Sequence, residues 1–284
     1  MFHPDQYELV DFGHGMKWEK FQGVDVVRPC PAAIGAEAML EMPSTASSYD
    51  KRHSKWLNAE SIPDNWQITH HRASFNLKPT PFGHLGAFCE QAFNWDWIEN
   101  LPFDLQGLKA INLFAYTGGT TLAMASKGAH VVHVDSARNV VNWARRNADS
   151  SGLAEAPIRW LVEDALKFVS REAKRGNKYD LIVADPPAIG HAGKRMTWKF
   201  ERDIETLLDL LNEIAADTLK GLLLTSHTVG YDGADLHRMA KSAFGSSYPN
   251  ETEKGRLDLH SRSGRKLNCG YYCRSWTAGL AWSA

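Results

Sequence analysis

From residue 109 to about residue 225 the chain alternates short apolar runs with segments of helical period, and this constrains its fold more than any other feature. Residues 109–115 (KAINLFA), 130–134 (HVVHV), 158–162, 180–184 and 221–225 read as strands. Segments beginning near 120, 137 and 165, and the stretch 198–219, read as helices; in the last, Ile204, Leu207, Leu208, Leu211 and Ile214 share one face. Strands separated by helices pair in parallel, so the expected class is α/β, a doubly wound, Rossmann-like, mostly parallel sheet. The last 40 residues carry turn signals and aromatic alternation that predict a terminal antiparallel hairpin, and 88–101 predicts a helix. Residues 1–85 are richer in aromatics, histidine and proline, with short strand-like runs at 7–12, 17–29 and 73–77. They predict a small β-rich amino-terminal extension, a candidate for substrate recognition, ahead of a main domain over 86–284.

Charge and cysteine content narrow the function classes. With 32 basic and 33 acidic side chains the formal charge is -1, which excludes a protein that grips nucleic acid chiefly through a global basic excess. One local run departs from this: residues 171–202 hold eight basic and four acidic side chains, a net of +4. No apolar stretch approaches the ~18 residues of a membrane helix. The start lacks a basic region followed by an apolar one, so a cytoplasmic location without a membrane partner is expected. Cys30, Cys89, Cys269 and Cys273 have no metal-ligand spacing and are expected as reduced, buried thiols. His53, His70 and His71 are assigned no metal, because neighbours on a strand point to opposite faces. A homodimer is compatible with the composition.

In open parallel sheets ligands bind at the carboxyl ends of the strands. Here those ends carry Tyr116-Thr117-Gly118-Gly119, then Asp135-Ser136, then Glu163-Asp164, then Asp185-Pro186-Pro187. Adjacent glycines let a ligand approach the backbone, and an acid at the second tip accepts from ribose hydroxyls; together these fit a nucleoside. The glycine turn departs from the GxGxxG pattern, which disfavours a nicotinamide dinucleotide.

The segments NLFAYTGGTTL (112–122), GAHVVHVDSARNVVNWARRNADSSGL (128–153), EDALKFV (163–169) and YDLIVADPP (179–187) resemble class I S-adenosylmethionine-dependent methyltransferases. Within that class they resemble the branch typified by the 23S ribosomal RNA cytosine carbon-5 enzymes, over roughly residues 80–275. The resemblance implies S-adenosyl-L-methionine as cofactor and a base in ribosomal RNA as substrate. It places Tyr116, Thr117, Gly118 and Gly119 at the methionine moiety, Asp135 with Ser136 at the ribose, and Asp164 at the adenine. Glu90, Gln91 and Asn94 are further cofactor candidates, from the helix leading to the first sheet strand. Asp185 and Pro186 would border the methyl-transfer position. A small-molecule or protein substrate, or a noncatalytic module keeping the fold, stay open as alternatives.

The branch's cysteine nucleophile follows its fifth strand, whereas residues 224–228 here read LTSHT, without a thiol. Carbon-5 of a pyrimidine requires prior thiolate addition, so this departure disfavours that chemistry. Exocyclic-amine enzymes place an aromatic after the prolines, where this chain has Ala188. A ring nitrogen needs neither device, and 185–203 is similar to guanine nitrogen-7 methyltransferases, including Lys194, Arg195 and Met196. His227 or His191 is a candidate to orient a base or proton, and Trp198 and Phe200 are candidates to stack on an unpaired base.

Overall fold

A computed structural model describes residues 1–192 and 195–278, with the backbone alone at 191–192 and 195–197. The extension folds as a five-stranded sheet of β1 (Tyr7–Gly13), β2 (Met16–Phe21), β3 (Val24–Pro29), β4 (Ser47–Asp50) and β5 (Lys55–Leu57), in that spatial order. A separate hairpin follows, β6 (Gln67–His70) with β7 (Ala73–Asn76). The expected single run at 17–29 is two strands, because Gln22 and Gly23 both adopt positive φ and turn the chain back on itself.

The remaining elements are α1 (Ala92–Glu99), β8 (Lys109–Leu113), α2 (Gly119–Ala125), β9 (His130–Asp135), α3 (Arg138–Ser150), β10 (Ile158–Val162), α4 (Ala165–Lys174) and β11 (Leu181–Ala184). Then come β12 (Ile189–Ala192), β13 (Arg195–Lys199), α5 (Phe200–Ile214), β14 (Gly221–Ser226), α6 (Gly233–Phe244), β15 (Glu251–His260) and β16 (Lys266–Trp276). Seven strands form the central sheet in the order β10-β9-β8-β11-β14-β16-β15. β8 to β11 and β14 run parallel, and the terminal hairpin joins them antiparallel through β16. β11 and β14 are buried at every position, which is why they read as unbroken apolar runs: helices cover both sheet faces. The chain winds outward from β8 to β10 and then returns to β11, which leaves a crevice at the carboxyl ends of β8 and β11.

Two boundaries differ from the sequence pattern. α5 begins only at Phe200, since Trp198 and Lys199 belong to β13, and it stops at Ile214, where Ala215 turns extended and pairs with Tyr179. Its five expected apolar positions are all buried. α6 was not foreseen; Asp232 and Asp235 form a capping box at its start, a signal present in the sequence.

The extension packs against the rest of the chain. Tyr7, Leu9, Phe21, Trp66 and Phe75 share one apolar cluster with Trp95, Leu122, Ala148 and Leu259. β7 is held to α3 by Asn76 N–H donating to Asn147 Oδ1 (2.9 Å) and Trp143 Nε1–H to the Asn76 carbonyl (2.7 Å). Within the first sheet Glu19 is fully buried, and Arg28 donates to it from Nε (2.5 Å) and Nη2 (3.1 Å), Lys17 lies 2.9 Å away, and Tyr7 donates its hydroxyl (2.9 Å). Burial raises the Glu19 carboxyl, yet the charges of Arg28 and Lys17 and their hydrogen bonds outweigh it and lower the pKa to about 2.

Candidate active site

The crevice opens into a cavity of about 420 Å³. Its apolar wall includes Phe88, Phe114, Tyr116, Val134, Ala165 and Trp198. Among the described residues five carboxylates also line it, Glu90, Asp135, Glu163, Asp164 and Asp185, against one basic side chain, His227. Such a lining disfavours a polyphosphate and suits a ligand that combines an aromatic ring with positive charge.

The turn after β8 is shaped by backbone strain. Phe114 (φ 56°) and Tyr116 (φ 48°) adopt the left-handed region that side chains disfavour, and Gly118 (φ 90°) follows. Both aromatic side chains line the cavity. Burial raises the Tyr116 pKa to about 12, so its phenol stays neutral. The glycines also answer to packing. A Cβ at Gly119 would lie 2.2 Å from Trp95 Cζ2, and one at Gly118 would lie 3.2 Å from Ala144 Cβ. They make room for α1 and α3 to pack, and neither they nor Thr117, whose hydroxyl donates to the Gly86 carbonyl (2.6 Å), line the cavity.

At the tip of β9, Asp135 accepts from the Tyr116 amide (3.0 Å) through Oδ2 and the Ala137 amide (2.9 Å) through Oδ1. Burial raises its pKa, and the two amides offset this in part. One carboxylate thus pins the strained turn while lining the cavity; Ser136 lines it beside Asp135. Asp164 caps α4, accepting from the Lys167 amide (3.0 Å), and lines the cavity as well.

Asp185, at the tip of β11, is the hub of a polar network. Its Oδ2 accepts from Gln91 Nε2 (2.9 Å), and Gln91 Oε1 accepts from Asn94 Nδ2 (2.7 Å). Its Oδ1 accepts from the Thr225 hydroxyl and lies 3.2 Å from His227 Nε2. Burial raises the Asp185 carboxyl, but the His227 charge and these hydrogen bonds leave it below the usual range. Gln91 and Asn94 therefore stand behind Asp185 and do not line the cavity, whereas Glu90 does, with no hydrogen bond or ion pair among the described residues. Pro186 is buried, and Pro187 is the proline that faces the cavity.

Several expectations fall differently. Phe200 is fully buried against Tyr231 and offers no face to a base, whereas Trp198 donates from Nε1 to the Pro187 carbonyl (2.7 Å) and lines the cavity. The basic run divides into separate contacts: Arg171 with Glu163, Arg175 with Glu172, Lys199 with Glu201 and Arg202 with Asp203. Lys194 and the side chains of His191, Arg195 and Met196 lie outside the described residues. No cysteine lines the cavity, and burial pushes the Cys269 thiol far up. Phe88, Phe114, Val134 and Glu163 were missed as lining residues, although Phe114 and Glu163 stand beside the motifs that were read. His71 follows β6 at φ 49°, so strand alternation does not separate it from His70, and both face Asp96. No helix among the described residues is long and apolar enough to cross a membrane.

The profile of the S-adenosylmethionine-dependent methyltransferases matches residues 42–240. A crystal structure of the SAM-dependent methyltransferase from Agrobacterium tumefaciens superposes with a TM-score of 0.85 at 30% identity, covering 96% of this chain and 90% of that one. Ribosomal RNA large subunit methyltransferase K/L of Shewanella frigidimarina is 27% identical over 191 residues, 65% of this chain and 25% of that protein. Ribosomal RNA large subunit methyltransferase I of Aeromonas hydrophila is 36% identical over 83 residues, 29% of this chain and 21% of that protein. The chain thus spans about a quarter or less of the length of these curated relatives. With a profile match over most of its length, a doubly wound sheet and a carboxylate-lined crevice at the switch point, this chain belongs to the S-adenosylmethionine-dependent methyltransferase family.

Proposed function

We propose that this protein transfers a methyl group from S-adenosyl-L-methionine to a ring nitrogen of a base in ribosomal RNA. The single observation that carries the choice of atom is the state of His227: both ring nitrogens face acceptors, so the imidazole is held as a cation and does not itself serve as a free general base in the cavity. A ring nitrogen attacks with its own lone pair and needs no prior deprotonation. The absence of a thiol from the cavity lining disfavours carbon-5 chemistry in the same way. The ribosomal RNA relatives support the substrate class.

When bound, the cofactor supplies an electrophilic methyl group on a cationic sulfonium. The residues fit that charge. Asp135 has lone pairs left for the ribose hydroxyls, and Ser136 flanks it. Phe114, Val134 and Ala165, with Asp164, suit an adenine ring. Glu90 and Tyr116 serve the methionine end. Asp185 is aligned by Gln91, Thr225 and His227 and orients the incoming base beside Pro187. The 1–85 extension, with exposed Ile34, Met39 and Phe82, is proposed to recognise the substrate. Proximity and exclusion of water supply most of the acceleration in such an in-line displacement.

Mass spectrometry of ribosomal RNA nucleosides from cells with and without the gene tests this reading. Loss of one ring-nitrogen methylation is expected. Label from the cofactor appearing in protein or metabolite but never in RNA would overturn the substrate.

A further inference from the structure

Away from the cavity, at the seam between the β6–β7 hairpin and α1, three metal-ligating side chains converge. His70 Nε2 and His71 Nε2 each lie 2.7 Å from the same oxygen, Asp96 Oδ1. The ligand atoms of all three residues lie within 4.8 Å of one another. The arrangement depends on backbone geometry: β6 ends at His70, and the left-handed conformation of His71 brings its ring to the same side, with the two ring centroids 4.4 Å apart. The amino terminus contacts the other Asp96 oxygen.

Two further features accompany the cluster. A small cavity of about 10 Å³, close to the room one water or a small ion needs, is lined by His70, His71, Trp95 and Glu99. Glu99 Oε2 is buried without a hydrogen-bond partner, with Lys127 Nζ 3.6 Å away.

We propose that His70, His71 and Asp96 form a binding site for a divalent transition cation of the Zn²⁺ type, distinct from the methyl-transfer cavity. Two imidazoles and one carboxylate are a donor set such cations favour, and a fourth position is left for water. Bond lengths of ~2.0 Å put neighbouring ligand atoms of a tetrahedral site roughly 3.3 Å apart. The two short contacts to Asp96 therefore need to open only slightly. A bound ion would tie the hairpin to α1, and α1 begins directly after Glu90 and Gln91; the site is structural, with Asp96 in the middle of that helix.

The test uses the untagged full-length protein, cleared of metal and titrated with Co²⁺ and Zn²⁺ by calorimetry and visible absorption. One saturable site per chain is expected, with a Co²⁺ spectrum of nitrogen and oxygen ligation and a higher thermal midpoint on loading. His71→Ala, at an exposed position, should weaken binding at least tenfold, and Asp96→Asn should do the same. His53→Ala, which alters an exposed histidine paired with Asp50, should leave binding unchanged. Absence of saturable uptake, equal uptake by the wild type and His71→Ala, or loss in His53→Ala would each overturn the site. Should Asp96→Asn fail to fold, His71→Ala decides the outcome.

Discussion

His227 Nε2 lies 3.2 Å from Asp185 Oδ1, and its Nδ1 lies 2.7 Å from the Cys269 carbonyl oxygen, so the imidazole must donate from both nitrogens. The tips of β11 and β14 are thus joined by an ion pair in the lining of the cavity.

That pair predicts a pH dependence. Burial opposes the His227 charge, but the hydrogen bond and charge of Asp185 outweigh it and raise its pKa from 6.5 to about 9. Stabilisation by the charged ring is complete below pH 6.5 and is lost as pH rises through about 9. Proton NMR titration of His227 should show a midpoint near 9 in the wild type and a lower one in Asp185→Asn. An ordinary midpoint in the wild type would remove the cation from the site.

Asp135 holds the turn and, in our reading, the ribose. Asp135→Ala should weaken cofactor binding by about 1–3 kcal/mol, the usual range for hydrogen bonds to a charged group. It should also lower stability, because two amides lose their acceptor. Calorimetry with S-adenosylhomocysteine reads the first effect and urea unfolding the second; unchanged affinity would count against the ribose assignment.

Catalysis without a thiol predicts that Cys269→Ser combined with Cys273→Ser keeps near-normal turnover. Complete loss of methyl transfer by the folded double variant would restore a covalent scheme.

Gly119→Ala should destabilise by roughly 1–3 kcal/mol through overpacking against Trp95. Combining it with Trp95→Phe should recover part of the loss. Equal stability of Gly119→Ala and the wild type in urea would mean that the indole moves freely.

Glu19→Gln leaves Arg28 and Lys17 buried without their carboxylate and should cost about 3–5 kcal/mol. With a pKa lowered from 4.5 to about 2, Glu19 stabilises fully above pH 4.5, and that contribution fades as pH falls toward 2. A loss below about 1 kcal/mol in urea, within the range of a surface pair, would show that water reaches the network.

The central strands β8, β11 and β14 were legible because burial on both faces imposes apolar runs, and the acids at the carboxyl ends of β9, β10 and β11 marked where the strands stop. The helical face of α5 was legible for the same reason, since its period reports burial directly. Contacts between distant segments leave no such local trace. That Gly119 yields to Trp95, that Gln91 reaches Asp185 across 94 positions, and that Phe200 is core and not surface depend on how α1 and β13 fold over the sheet. The charge of His227 is likewise a tertiary property, set by a carboxylate and a carbonyl 42 positions away on either side. Periodicity and strand-end chemistry determined the fold and the position of the crevice; which side chains line it, which stand behind, and which are ionised were decided only when the segments met, because hydrogen bonding and desolvation act through space and not along the chain.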